Sequence, residues 1–236
     1  MNNKLPLVSV LMSTYDSEKT LERALNSIVN QSYKNIEFLI CNDGSTDKTQ
    51  KILEKYSKLH SQIEVINNKN NVGLTRSLNL LLEKSKGDFI ARQDADDYSD
   101  TERIKTQIKY CIGSKFQAVF TRSYNLNKNT SMQKISYFIP YKMLVNLRNP
   151  FVHGTMLINS KVIKSLGGYD EEFYFAQDYK LYRDMIDNGI KIKKIRKILY
   201  YLNTKDNISS LRKKEQKYYA DCVKNRKKPK LILNDD

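Results

Sequence analysis

Residues 7–29 read LVSVLMSTYDSEKTLERALNSIV, and the two periods inside that stretch decide the fold. Leu7 to Ser13 is a short apolar, β-branched run, after which Leu21, Ala24, Leu25, Ile28 and Val29 recur at helical spacing. A strand therefore leads into an amphipathic helix. The unit repeats: IEFLIC (Ile36 to Cys41) precedes a helix carrying Ile52, Leu53, Tyr56 and Leu59, and QIEVI (Gln62 to Ile66) precedes one carrying Leu74, Leu78, Leu81 and Leu82. DFIAR (Asp88 to Arg92) adds a fourth strand. Such alternation predicts a parallel sheet covered on both faces, because parallel neighbours need long right-handed crossovers. The first half is thus α/β.

The second half is less regular. A strand is expected at Gln117 to Arg122, a polar loop from Asn125 to Gln133 and an apolar segment around Phe151 to Ile158. A helix from Ser160 to Leu166 should end at Gly167 and Gly168, which tolerate a left-handed cap, and another should run from about Ala176 to Asn188 before Gly189. A basic helix from about Ile208 to Lys224, then KNRKKPK, closes the reading.

With 236 residues, 40% hydrophobic and 28% charged, the chain buries a sizeable core, which excludes disorder throughout. Lys and Arg total 41 against 26 Asp and Glu, a net +15 that favours an anionic partner. Residues 191–236 hold 15 basic and 5 acidic residues, so the tail carries most of that excess. Cys41, Cys111 and Cys222 are odd in number and widely spaced, which fits neither a disulfide framework nor a zinc knuckle. Cys41 and Cys111 read as core residues. No apolar run reaches membrane-spanning length, and the first residues turn polar too soon for a signal peptide. A cytoplasmic location is the expectation.

In an open parallel sheet, ligands bind beyond the carboxyl ends of the strands. Ser13-Thr14-Tyr15-Asp16, Asn42-Asp43-Gly44-Ser45 and Gln93-Asp94-Ala95-Asp96-Asp97 follow the first, second and fourth strands. Thr14, Asp16, Ser45 and Thr46 read as helix caps. Capping does not explain Asp94, Asp96 and Asp97, three carboxylates in four positions that would raise each other's pKa without a cation. All-oxygen ligation of this kind suits Mg²⁺ or Mn²⁺. An EF-hand is excluded, since the downstream Gly and bidentate Glu are missing.

These segments, with NVGLTRSLN (71–79), NPFVHGTMLI (149–158), GGYDEEF (167–173) and QDYKLYRDM (177–185), resemble family 2 glycosyltransferases of the GT-A fold from residue 6 to about 190. The resemblance implies a nucleotide-sugar-binding half at 1–100, an acceptor-binding half of the same domain at 101–204, and a basic helix and tail at 205–236. It also implies that Ser13, Thr14, Tyr15 and Asp43 hold the base of a UDP-sugar, with Arg76 and Ala95 near the nucleotide. Asp94 and Asp96 would form the D-x-D site that holds Mn²⁺ or Mg²⁺ on the diphosphate. A tyrosine face can stack a pyrimidine, a carboxylate can accept the uracil imide N–H, and an arginine can offset phosphate charge.

Asp178, after Gln177 at a helix start, matches the family's base. His153 is a candidate to touch acceptor or metal, though a lone loop histidine is commonly structural. Arg183, one place early for the family's basic residue, receives no role. The resemblance implies an inverting, metal-dependent transferase acting on a glycan or lipid-linked acceptor in bacterial surface polysaccharide assembly. The tail then suggests peripheral contact with the anionic inner face of the membrane through Ile208, Leu211, Tyr218, Tyr219 and Cys222 among its basic residues. The weighed alternative is a non-catalytic nucleotide-binding or scaffold module recruited by that tail. A glycosidase leaves the strand ends unexplained, a dehydrogenase lacks GxGxxG, and the charge is not interleaved with the aromatic platform of a nucleic-acid reader.

Overall fold

The computed structural model describes residues 5–113, 115–132, 137–205 and 212–230. Strands β1 (Val8–Thr14), β2 (Ile36–Asn42), β3 (Ile63–Asn67) and β4 (Phe89–Arg92) are parallel, and they are joined by helices α1 (Leu21–Val29), α2 (Thr49–Leu59) and α3 (Leu74–Lys84). Then come β5 (Tyr98–Ser99), α4 (Arg103–Ile108), β6 (Ala118–Asn125), β7 (Thr130–Ser131), α5 (Tyr141–Leu144) and a 3₁₀ turn at His153–Thr155. The chain continues through β8 (Met156–Asn159), α6 (Ser160–Ser165), α7 (Gln177–Asp187), β9 (Ile192–Leu202) and α8 (Lys213–Lys224).

One sheet runs through both halves in the order β3-β2-β1-β4-β8-β6-β9-β5, with β7 on β6. Beyond β4 the pairing turns mixed: β8 is antiparallel to both β4 and β6, whereas β6 and β9 are parallel.

The two faces explain why β1 is apolar almost without alternation. Val8, Val10 and Met12 pack with Leu21, Leu25, Ile28 and Leu53 of α1 and α2. Leu11 points the other way, with Leu39 and Cys41, onto Leu78 and Leu81 of α3 and Leu181 and Met185 of α7. A strand buried on both faces is apolar at most positions, with buried Ser9 hydrogen-bonded to Glu37, and each such aliphatic side chain contributes about 1.5–3 kcal/mol by leaving water.

Two expectations are corrected. Residues 192–202 belong to an internal strand, β9, and not to a tail; Ile192, Ile195, Leu199 and Tyr200 are buried while Arg196 and Lys197 are exposed. The basic helix α8 starts at Lys213, and Ile208 and Leu211 lie outside the described residues. Its Tyr219, Cys222 and Val223 are buried against Phe173, Ala176, Tyr179 and Val145, so they are unavailable to a membrane. Among the described residues no helix is long and apolar enough to cross one.

Candidate active site

The strand register shapes the site. Thr14 lies level with Asn42, and Asn42 with Asn67, but β4 ends at Arg92 opposite Leu11. Three residues at about 3.3 Å each leave a notch of roughly 10 Å at the carboxyl edge. Gln93 to Asp97 turn across it, starting from the bond of Gln93 N–H to the Leu11 carbonyl at 3.1 Å.

The loops after β1 and β2 brace each other and do not cap α1 and α2, neither of which has a side-chain N-cap bond. The Thr46 N–H donates to Asp16 Oδ1 at 2.7 Å, the Asp16 N–H to Ser45 Oγ at 3.0 Å, and the Ser17 N–H to Thr49 Oγ1 at 2.8 Å. Asp16 takes a left-handed φ of 44° to do so, which a short polar side chain tolerates. This bracing leaves Tyr15 with 47% of its surface exposed. Thr14 is buried beside it, its Oγ1 without a hydrogen-bond partner among the described residues.

Asp43 is buried and organises the next loop. Its Oδ1 accepts from Asn68 Nδ2 at 2.8 Å and Val72 N–H at 3.0 Å, and its Oδ2 from Gly73 N–H at 2.9 Å. A carboxylate has about four acceptor positions, so one remains, on Oδ2. Gly73 needs its φ of 92°, and a Cβ there would meet the Tyr174 ring at 2.7 Å.

That contact belongs to a seam between α3 and residues 169–176. Asn79 Nδ2 donates to the Tyr169 carbonyl at 2.8 Å, Thr75 Oγ1 donates to the Phe173 carbonyl at 3.3 Å, and Arg76 pairs with Glu171 at 3.4 Å. Arg76 is therefore engaged across the seam, on a mostly exposed side chain.

Below the notch, sequence reasoning missed a buried cationic layer. Arg92 is 1% exposed; its Nη2 lies 2.6 Å from Asp94 Oδ1 and its Nη1 donates to the Leu11 carbonyl at 2.8 Å. Arg103, also buried, donates from Nη1 to the carbonyls of Arg92 and Gly154 at 2.9 and 2.5 Å, with its guanidinium 5.4 Å from the Tyr200 ring centroid. Burial pushes Arg103 down to about 10. The Tyr200 hydroxyl accepts from the Asp94 N–H at 3.1 Å, so β9 supports the acidic turn directly. The only hint in the sequence was Arg92 abutting the acidic run.

Gly154 closes this layer, since a Cβ would come within 1.9 Å of the Tyr200 ring. Gly154→Ala should therefore overpack the layer by about 3 kcal/mol, lowering the melting temperature by about 6–12 °C. Calorimetric scanning checks this.

Asp94 and Asp96 are partly exposed, whereas Asp97 is buried and accepts from the Asn203 N–H at 2.7 Å. Burial first, then the neighbouring Asp94 charge, raises Asp96 to about 6, and burial raises Asp97 well above the usual carboxylate range. Asp97 is thus a fold residue. Asp94, with Oδ1 on Arg92 and Oδ2 beside the Tyr200 hydroxyl, and Asp96 offer hard oxygen donors, a chemistry that fits Mg²⁺ or Mn²⁺. Among the described residues no group of three His, Cys, Asp or Glu side chains is arranged to hold a metal by itself, so further ligands would have to come from a substrate or water.

Asp178 lies in the first turn of α7, after Ala176 at a left-handed φ of 55°, a conformation that costs a non-glycine residue energy. Its Oδ2 accepts from Asn149 Nδ2 at 2.7 Å and its Oδ1 from the Tyr179 N–H at 2.7 Å. Burial raises it to about 6 against these bonds, and the Asp94 charge adds to the rise.

His153 sits on the 3₁₀ turn with Nε2 2.8 Å from the Tyr169 hydroxyl. Burial, then Arg92, lowers it to about 3, so it is neutral at physiological pH. Arg183 serves structure, bonding Asp187 at 2.9 Å and Asn146 at 2.6 Å.

The family model described as glycosyl transferase family 2 matches residues 9–188, which span every element just described from β1 to α7. The chain belongs to this family. The fold of this glycosyltransferase is GT-A. A mannosyltransferase from Pyrobaculum calidifontis, solved with GDP-Man and Mn²⁺, superposes with a TM-score of 0.76 at 16% identity, over 96% of this chain and 67% of that one. Staphylococcus aureus TarS 1-349, solved with UDP-GlcNAc, superposes with a TM-score of 0.73 at 22% identity; 85% of this chain is covered, but only 59% of that one. Among sequence relatives, the putative glycosyltransferase EpsE of Bacillus subtilis is 33% identical over 84% of this chain and 73% of its own length. WfaP of Escherichia coli, named a UDP-Glc:α-D-GlcNAc-diphosphoundecaprenol β-1,3-glucosyltransferase, is 29% identical over 80% of this chain and 74% of its own.

Proposed function

We propose that this glycosyltransferase is an inverting, metal-dependent enzyme that moves a sugar from a UDP-sugar to a hydroxyl of a glycan or lipid-linked glycan in bacterial surface polysaccharide assembly. The observation that carries the reading is the acidic turn beyond β4, with Asp94 pinned by buried Arg92 at 2.6 Å, together with Asp178 on the first turn of α7, which the Asp94 charge reaches.

Residues 1–100 bind the donor. The exposed face of Tyr15 stacks the uracil, the free position on Asp43 Oδ2 accepts its imide N–H, and Ser13 and Thr14 line the base. Asp94 and Asp96, with Ala95 between them, are the residues that would hold Mn²⁺ or Mg²⁺, and Arg76 approaches the nucleotide by releasing Glu171. A bound divalent ion would supply charge stabilisation to the diphosphate leaving group.

Residues 101–204 receive the acceptor. Asp178 takes the proton of the acceptor hydroxyl as its oxygen bonds to the anomeric carbon and the bond from that carbon to the diphosphate breaks. One base and a single displacement invert the anomeric centre. His153 orients acceptor-side groups as a neutral hydrogen-bonding ring. The UDP-sugar and the lipid-linked acceptor in the name of the Escherichia coli relative support both substrate classes. With such an acceptor the enzyme works at the cytoplasmic, anionic face of a membrane.

Isothermal calorimetry tests the donor. A charge-assisted bond from Asp43 is worth about 1.5–3 kcal/mol, so UDP should bind at least about tenfold more tightly than GDP. Tighter GDP binding, the nucleotide of the Pyrobaculum neighbour, would overturn the uridine assignment.

A further inference from the structure

We infer that the face carried by residues 137–149, with β9 alongside, docks this enzyme on an anionic lipid bilayer and presents the lipid-borne acceptor to Asp178; the second clause rests on the acceptor reading above. Phe138, Met143 and Leu147 are 64%, 62% and 66% exposed and lie within one ten-residue stretch. A lone exposed leucine means little, but three large apolar side chains this close in the chain mark an interaction surface. Helical bonding continues past α5, with the Leu147 and Arg148 N–H groups donating to the Leu144 carbonyl at 2.9 Å. Met143 and Leu147 are therefore neighbours four residues apart on the outer side of a turn whose Leu144 and Val145 are buried.

Basic side chains accompany the apolar ones: residues 137–149 contain Lys142 and Arg148 and no Asp or Glu, and Lys194 and Arg196 of β9 meet this stretch, whereas Lys193 packs over the Tyr110 and Phe116 rings. The two stretches are stitched together: Lys194 Nζ donates to the Tyr137 and Ile139 carbonyls, and the Arg196 guanidinium lies 5.5 Å from the Phe138 ring centroid. Exposed apolar side chains accompanied by long basic ones match a bilayer whose surface is anionic and whose interior is apolar. A second copy of this chain is a poor occupant, because it would bring another +15 against this one.

The same segment is bolted to the base. The Tyr179 hydroxyl donates to the Val145 carbonyl at 2.7 Å, and Asn149, two residues past Leu147, donates to Asp178. Helix α8 contributes exposed Lys213, Lys214 and Lys217, but its apolar side is spent on α7.

Flotation with vesicles of phosphatidylcholine alone, or of phosphatidylcholine with phosphatidylglycerol, tests the face at physiological salt. The wild-type chain should float only with the anionic vesicles. Met143→Ser with Leu147→Ser should lower partitioning at least about tenfold, as should the triple change of Lys142, Arg148 and Arg196 to Gln, at about fivefold per residue. Unchanged UDP affinity in both variants shows that the fold and donor site are intact. The inference is overturned if the wild type floats with neither vesicle or equally with both. It also fails if both variants float like the wild type, if Lys213, Lys214 and Lys217 alone carry the binding, or if the wild type forms a dimer that the apolar variant abolishes. Wild-type chain that floats but ignores UDP would instead remove the donor reading and leave the docking face standing.

Discussion

Asp178→Asn should lower kcat by about 10²–10⁴-fold while leaving UDP affinity within about twofold, because a positioned general base acts on the transferred proton and touches no nucleotide. The substitution is nearly isosteric, so packing at the start of α7 survives. The wild-type pH profile provides a second readout. The Asp178 carboxyl is pushed up to about 6, chiefly by burial, so it is protonated, and unable to take a proton, below that pH. Activity should therefore fall about tenfold per unit as pH drops below about 6 and level off above it. A divalent ion beside Asp94 would cancel the part of the rise that Asp94 causes, moving the limb downward in the loaded enzyme. Turnover that falls less than about tenfold in Asp178→Asn would assign the base elsewhere.

Asp96→Asn should remove stimulation by Mn²⁺ or Mg²⁺ and cut turnover by about 10²-fold or more, since charge stabilisation of a diphosphate by a metal is worth several kcal/mol. Asp96 is the informative position. Asp94 is pinned to buried Arg92 at 2.6 Å, and removing it would strand that cation at about 3–5 kcal/mol, mixing folding with chemistry. Asp96 bears no such load; its backbone carbonyl, unaffected by the change, accepts from Arg23 at 2.7 Å. The check is UDP affinity by calorimetry with and without Mn²⁺, beside turnover: the wild type should bind more tightly with the ion, and the variant equally either way. Full wild-type activity in excess EDTA would sink the metal assignment.

The sequence by itself determined the β-α alternation of the first half, and with it the strand edge on which the proposed site lies. Helical and strand periods are local properties, and the rule that parallel sheets open their sites at strand C-termini follows from topology alone. Asp94, Asp96 and Asp178 are proposed from short, contiguous signals: an acidic run after a strand, a carboxylate opening a helix. The interior of the site was not legible. Arg92, Arg103, Tyr169 and Tyr200 come from three different stretches of chain, and only the closing of β9 against β6 brings Tyr200 onto Gly154 and Asp94.

Long-range packing also reversed local readings. Asp16, Ser45 and Thr46 have the chemistry of caps, but two adjacent loops offered each other better-placed donors. Residues 191–202 look like a basic tail because five of the twelve are Lys or Arg and none is acidic, yet a strand with solvent on one side needs only every second or third residue to be apolar. The apolar positions of α8 suggested a membrane contact, and tertiary structure spent them on α7 instead. Which apolar side chains remain outside is decided by what the rest of the chain covers, a sum over distant contacts that no local window contains.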